Sequence, residues 1–429
     1  MESMQGLRRE VSLGEAVVYG VGIIIGAGIY SLIGEAAATT GNALWLAFLI
    51  AAFISAFTAL SYAELSTMFP RSGAEYFYVK NAFRSEALAF ITGWLIILVE
   101  IIAGATVALG FGGYLHELTG VGRVTSALIL LAALAVVNYA GIKQSVRLNV
   151  LMTLAAVLGL LMVVFIGLPR LGSVDYLEAS FGGWGILTAV TVIFFAYLGF
   201  EDLANLAEEV KQPQRNLPRA ILLALAITTV LYVLVSLVVV SLAPWQEFAA
   251  SEAPLAVVAA HAGLPQEIII LIALSATAST VLIFQIASSR MLYGVARDGA
   301  LPGVLARVHP RRYTPYVAIA FATLLSIAFV LPGEIRLVAL LTDFCAFVIF
   351  ALVNLSAIAL RLRHPELERP FRAPLNVRNI PLVSVLGLLS CMAMLLTFEA
   401  EIIATFVGLT LAGFAAHALR RRRDYKLQS

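Results

Sequence analysis

The sequence predicts an all-α integral membrane protein. It reads as twelve transmembrane helices, built as two inverted five-helix repeats plus two further helices, and three observations carry the reading. The chain of 429 residues is 61% hydrophobic and 13% charged, with mean hydropathy +0.95. A soluble domain carries about 25% charge. The basic residues gather on one side of the alternating apolar runs. Two of those runs are interrupted in matching ways, five spans apart.

An apolar run of about 20 residues crosses a bilayer as a helix. Such runs fall near 13–38, 43–69, 87–113, 124–140, 148–168, 185–207, 218–242, 266–293, 315–332, 336–361, 380–398 and 401–418. The connections are short apart from 243–265 and 294–314. An even count of spans places both ends on one side. That side then holds all but three of the 28 Lys and Arg, the exceptions being Arg123, Arg170 and Arg336. The positive-inside rule makes it the cytoplasmic side, and a wrong count would scatter these charges. The expected organisation is a cytoplasmic N-terminus (1–12), repeats at 13–168 and 185–361, two extra helices at 380–418 and a basic cytoplasmic tail (419–429). The polar start MESMQGLRRE shows no cleavable signal, so a multi-pass protein of the cell membrane is expected. The tail RRRRDYK reads as a topology anchor. Cys345 and Cys391 lie in apolar runs and read as buried thiols.

The first span contains YGVGIIIGAGIYSLIG at 19–34, five glycines without a charge. Glycine inside a helix costs roughly 1 kcal/mol relative to alanine, so the run needs a reason. A dinucleotide fingerprint requires a preceding strand and an acid about 20 residues on. The flanks are instead apolar at helical length, and the chain near residue 45 reads NALWLAFLI. Close helix packing explains Gly20 and the spacing of Gly22 and Gly26. It does not require two glycines astride one alanine at Gly26-Ala27-Gly28, which fits backbone left unwound. The sixth span, TVIFFAYLGFEDLANLAEEV, places Gly199 before Glu201 and Asp202, where acids are costly in lipid. Interrupted helices at corresponding positions point to a transporter's central site. An outer half-helix offers N–H groups to a carboxylate. An inner half-helix offers carbonyls to an ammonium group or Na⁺. A site with both suits a zwitterion such as an α-amino acid.

The motifs VGIIIGAGIY (21–30), PRSGAEYFYV (70–79), FFAYLGFEDLANLAEEVKQPQRNLPRA (194–220), SRMLYGVARDGALP (289–302) and RHPELERPFRAP (363–374) span nearly the whole chain. On these residues the sequence resembles amino acid permeases of the amino acid–polyamine–organocation superfamily. The resemblance implies a fold of the bacterial leucine transporter type, with helices 1 and 6 broken. It implies that amides around Gly26, at Ala27, Gly28 and Ile29, hold a substrate carboxylate. Carbonyls of Ile24, Phe195 and Leu198 would then face the amine, with Phe195 and Tyr197 walling the pocket. Glu201 would tie the broken helices together or take part in proton coupling.

Two further intramembrane acids, Glu100 and Asp343, are candidates for coupling or gating. Proton-coupled members of the family carry a lysine in the fifth span. The corresponding position here is Ala156, and 148–168 contains no lysine. In the eighth span, Ala276, Ser279 and Thr280 share one helical face. In sodium-coupled relatives of the fold, a carbonyl and two hydroxyls at that spacing bind Na⁺ with carbonyls of the first helix, here Gly22 and Ile25. The competing reading is that the hydroxyls bond their own preceding turn. Na⁺ coupling, H⁺ coupling through an acid, and uncoupled exchange therefore stay open. The five histidines are dispersed, so no resident metal or other cofactor is indicated. There is no nucleophile–base pair, P-loop or basic-aromatic nucleic-acid surface. The expected activity is secondary amino acid transport by alternating access, with no enzymatic chemistry and the lipid bilayer as surroundings. A non-transporting amino acid sensor is the competing class.

Overall fold

The computed structural model describes residues 11–70, 74–140, 142–207, 209–297, 299 and 301–428. Arg8, Arg9, Arg71 and Gly141 lie outside the described residues, as do the side chains of Ala27, of 142–151 and of 416–428.

Helix α1 (Leu13–Ile24) starts at a capping box. Ser12 Oγ accepts from the Glu15 N–H, and Glu15 Oε2 accepts from the Ser12 N–H at 2.8 Å. Such a box satisfies N-terminal donors that have no partner inside the helix. The helix stops at Ile25 and Gly26, and α2 (Ala27–Thr40) leaves at an angle of 44°. Next come α3 (Leu44–Met68), α4 (Ala74–Phe83) and α5 (Glu86–Thr119). Helix α5 has 34 residues, is N-capped by the Ser85 side chain and ends at Gly120 in the left-handed conformation. At 1.5 Å per residue it is about 50 Å long, more than a bilayer core of about 30 Å. It is followed by α6 (Arg123–Ala140) and α7 (Ile142–Gly167).

The second interrupted span is α8 (Gly182–Ile193), a 3₁₀ turn at Phe194–Tyr197, and α9 (Asp202–Asn205). Then follow α10 (Pro213–Leu242), two short helices α11 (Trp245–Ala249) and α12 (Pro254–His261), and α13 (Gln266–Arg297). The chain finishes with α14 (Tyr316–Val330), α15 (Ile335–Arg363), a two-residue β-hairpin (Asn376–Val377 with Ile380–Pro381), α16 (Leu382–Leu395) and α17 (Ala400–Gln428).

Eight spans among the described residues are long and apolar enough to cross a membrane, counting the second interrupted span as one. The pairs α1–α2 and α16–α17 also pass when each is taken together, with a 112° bend in the second. The apolar α14 has 15 residues, about 22 Å, and falls short by itself. Three elements were absent from the hydropathy reading because they are short or amphipathic: α4, the α11–α12 pair, and the hairpin.

Burial sorts the helices. The most apolar stretch of α5 is 89% buried, while those of α6 and α7 are 33% buried. Helix α5 is therefore the central post, with α13 and α15 against it, and α10 packs along α3. The first interrupted span is closed at one end by backbone pairing. Val11 N–H donates to Glu209 O at 3.0 Å, and Lys211 N–H donates to Val11 O at 2.8 Å. At the other end Gly41 pairs with Ala179, and Trp45 Nε1 donates to Tyr176 O at 2.9 Å.

A buried ion cluster fixes the connection after α15. Glu64 on α3 accepts from Arg361 Nε at 2.8 Å and again from Arg361 Nη2, and Arg369 Nε lies 3.5 Å from it. Glu64 also accepts the Ala373 N–H at 2.9 Å. Only 2% of the Glu64 side chain and 1% of the Arg361 side chain is exposed. Removing one partner of such a buried pair costs about 3–5 kcal/mol, because the other charge is left without compensation. Glu64→Gln should therefore lower the thermal unfolding midpoint of the purified protein by several degrees. An unchanged midpoint would mean that the cluster does not hold the connection.

Candidate functional site

The two helix breaks touch each other at the centre of the bundle. Gly28 lies in the first turn of α2, and a Cβ added there would sit 2.6 Å from Ala196 Cα. Gly199 has φ +114°, a conformation open mainly to glycine. A Cβ at that position would sit 2.2 Å from Ile23 Cγ2. Each break thus carries a glycine where the other approaches. Gly26, the residue before α2, supplies no side-chain cap. The first N–H groups of α2 therefore receive no cap from the residue before the helix, and they stand at the positive end of a helix of 14 residues.

The second break exposes backbone differently. Leu198 is extended, and its N–H donates to Phe195 O at 3.2 Å. Glu201 Oε2 accepts the Gly199 N–H at 2.9 Å, so this acid braces the turn that interrupts its own helix. The Tyr197 ring packs on Phe48 and Tyr232, and its hydroxyl donates to Phe48 O at 3.0 Å. Phe195, Tyr197 and Leu198 are all buried. Ile29 is buried in α2, and Gly22 approaches Thr153 of α7.

Tyr232, on α10, is a residue that the sequence reading missed. Its hydroxyl lies 2.6 Å from Ile24 O and 3.1 Å from Ala196 O, one carbonyl from each break. A phenol has one proton to donate, so these two carbonyls share it. Ile24 O, the expected amine contact, thus already meets a donor. A lone phenol in the apolar run VLYVLVSL was the available signal, because a buried Tyr hydroxyl needs a partner. Two further tyrosines extend the polar frame. Tyr30 donates to Ala156 O at 2.6 Å, and Tyr114 donates to Tyr30 O at 2.9 Å. Ala156, where a lysine was looked for, therefore anchors α2 to α7 through its carbonyl.

The eighth-span hydroxyls meet the first break. A Cβ on Gly26 would lie 2.7 Å from Thr280 Oγ1. Ser279 and Thr280 both donate to Ala276 O, at 2.8 and 3.0 Å. Their protons thus point along α13, and Ala276 O is engaged by both. Ile25 stands in the break itself, its N–H bonded to Val21 O at 2.8 Å. Glu100 on α5 is buried with one oxygen unpartnered among the described residues. Asp343 on α15 is fully buried, with the Phe195 backbone of the second break beside its carboxyl. It shares a helical face with Phe347 and Phe350, which pack on Phe194 at the start of the second break. No group of three His, Cys, Asp or Glu suited to a metal ion occurs among the described residues.

Just outside the apolar spans, Glu75 on α4 is 2% exposed, and its Oε1 accepts from Tyr62 at 3.1 Å. Burial pushes its carboxyl up to about 7. It is another acid that the sequence reading left unassigned.

Two interrupted apolar helices in contact inside a bundle of membrane-length helices are the architecture of a membrane transport protein. The comparisons give the family. The amino acid permease family model matches residues 12–411, and this chain belongs to that family. It is 30% identical to the branched-chain amino acid permease BcaP of Bacillus subtilis, over 99% of this chain and 95% of that one. It is 32% identical to the methylthioribose transporter of the same organism, over 89% and 87%. It is 34% identical to the vacuolar cationic amino acid transporter 4 of Arabidopsis thaliana, over 72% of this chain and 56% of that one. The family and these relatives are permeases and transporters, not enzymes.

Tyr232→Phe removes the proton shared by the two breaks, a loss of roughly 1–3 kcal/mol for buried carbonyls left unpaired. Hydrogen exchange should accelerate at residues 22–29 and 194–199 in that variant. Unchanged protection would show that the phenol does not join the breaks. For Glu75, the folded protein keeps the proton between about pH 4.5 and about pH 7, where the unfolded chain has lost it. Stability should therefore fall as pH rises through that window. Glu75→Gln should flatten the fall in thermal midpoint, and an identical slope in both proteins would contradict this assignment.

Proposed function

We propose that this protein is a secondary active amino acid transporter of the cell membrane. It works by alternating access and holds its substrate by backbone groups at the two breaks. The observation that supports the proposal is the direct approach of Gly28 to Ala196 and of Gly199 to Ile23, which brings the backbone of the two breaks together. The amides of Ala27, Gly28 and Ile29 take the carboxylate, on the positive end of α2. Carbonyls of the second break at Phe195 and Leu198, with Ile24 O shared with Tyr232, take the amine. Phe195 and Tyr197 bound the pocket from the side of α3 and α10.

The fold in this proposal has twelve spans, with both termini in the cytoplasm. The α1–α2 pair counts as one broken span, while α14, α16 and α17 each count as one. Residues 13–168 and 185–361 form the two inverted repeats. The relatives support the substrate class: one is named for branched-chain and another for cationic amino acids. A second reading rests on the relative named for methylthioribose, which is not an amino acid. Uptake into proteoliposomes distinguishes the two. Saturable uptake of labelled amino acids, lost in Gly28→Leu, is expected. Uptake of methylthioribose with none across an amino acid panel would overturn the proposal.

The coupling ion in this reading is Na⁺. The support is the contact of Thr280 with the first break and the absence of lysine from 148–168. A hydroxyl that donates into its own helix turns oxygen lone pairs away from it. Ser279 and Thr280, with carbonyls of Gly22, Ile25 and Ala276, form an all-oxygen set suited to a hard cation. Glu100, Glu201 and Asp343 serve the alternative of proton coupling, and exchange without an ion is the third mode. With Na⁺ and pH gradients imposed separately, Ser279→Ala/Thr280→Ala should abolish Na⁺ stimulation while some substrate binding persists. Unchanged Na⁺ dependence would remove the site.

A further inference from the structure

One face of α10 changes character along its length. Arg215 and Arg219 stand one turn apart near its start, both exposed. The same face continues through Leu223, Ile227 and Val230, which are 46%, 47% and 60% exposed. Exposed apolar side chains repeating along a transmembrane helix face acyl chains, so the two guanidiniums sit where that surface ends, at headgroup depth. Beside them lies a pocket of about 330 Å³. Its rim is Arg215 and Arg219, and its apolar walls are Pro218, Leu222, Pro370 and Phe371.

The far wall is tied to α3 by hydrogen bonds. Phe371 N–H donates to Thr67 Oγ1 at 3.3 Å, and the neighbouring Ala373 N–H donates to Glu64 at 2.9 Å. Arg369 is held at Glu64 in the same cluster. The adjoining pocket of about 280 Å³ contains Arg361, Arg369 and Arg372, and Glu64 is the one carboxylate bound into that cluster among the described residues. Neither Arg215 nor Arg219 forms an ion pair among the described residues. Positive charge without a protein counter-ion, above an apolar wall that runs into the lipid-facing stripe, is complementary to one kind of molecule.

We propose that this pocket binds an anionic phospholipid of the adjacent leaflet. The phosphate sits between Arg215 and Arg219, and an acyl chain lies along Leu222, Leu223 and Ile227. A bound lipid bridges α10 to the connection that Glu64 clamps onto α3 and α15. The inference does not depend on which solute is transported.

Native mass spectrometry of the full-length protein tests it, after extraction from vesicles of phosphatidylglycerol and phosphatidylcholine. The wild-type protein should retain phosphatidylglycerol preferentially. Arg215→Gln/Arg219→Gln should lower that retention of the order of tenfold, given the attraction of each basic residue to an anionic leaflet. Arg307→Gln/Arg311→Gln removes equal charge elsewhere and should leave retention unchanged. Leu222→Trp fills the pocket with both charges kept and should also release the lipid, so a poorly folding double variant does not decide the matter. Equal loss in both charge variants would overturn the site, as would retention in Leu222→Trp. Displacement of the lipid by millimolar inorganic phosphate would equally overturn it, because the site would then serve a soluble anion.

Discussion

Everything about the site depends on two stretches of backbone being left out of their helices and pressed together. In an apolar bundle this is costly, since each unpaired N–H or C=O lacks water to satisfy it. The protein offsets part of that cost with side chains placed for the purpose. Tyr232 reaches a carbonyl of each break, Glu201 takes the Gly199 amide, and Tyr197 and Tyr30 fasten the flanking turns to α3 and α7. Gly26 gives the first N–H groups of α2 no side-chain cap, and these are the groups that the proposed function assigns to the ligand.

The glycines follow from the same constraint. Gly28 and Gly199 are not generic flexibility in a membrane helix. Each stands where the other break would collide with a Cβ, and Gly199 also needs its positive φ. The two interrupted spans are tied together near both ends by backbone pairing, Val11 with Val210 at one end and Gly41 with Ala179 at the other. In the proposed cycle of alternating access, backbone pairs between single residues are the contacts cheap to release. The Glu64 cluster is of the opposite sort. Its Glu64–Arg361 pair is buried and hydrogen-bonded, so it suits a part of the structure that stays together.

Much of this was legible in the sequence because hydropathy and glycine placement are local signals. The apolar runs fall on helices or helix pairs, eight to ten of them long and apolar enough to cross a membrane among the described residues, and both interruptions fall where GAG and YLGFE put them. Family membership was legible from the same motifs and is confirmed over residues 12–411. Tyr232, Tyr30 and Tyr114 were not legible as a frame, because their partners lie 208, 126 and 84 residues away. The role of Glu64 was hidden for the same reason, since Arg361 and Ala373 lie far along the chain. Lengths also misled: α14 and α16 are shorter than their apolar runs, and α4 is too polar for a hydropathy scan. The hydroxyls of Ser279 and Thr280 show the limit of spacing arguments. Their shared face was readable, but their donation to Ala276 depends on rotamers that the sequence does not specify.

The central claim is that the crossing of the breaks recognises a charge pair on its ligand, carboxylate to α2 and amine to the second break. The direct measurement is competition binding to the purified protein. An amino acid that binds is compared with its decarboxylated amine and its deaminated acid, which keep the same side chain. The account predicts that each derivative loses most of the affinity, because each leaves one set of backbone groups unanswered. Undiminished binding of either derivative would contradict it.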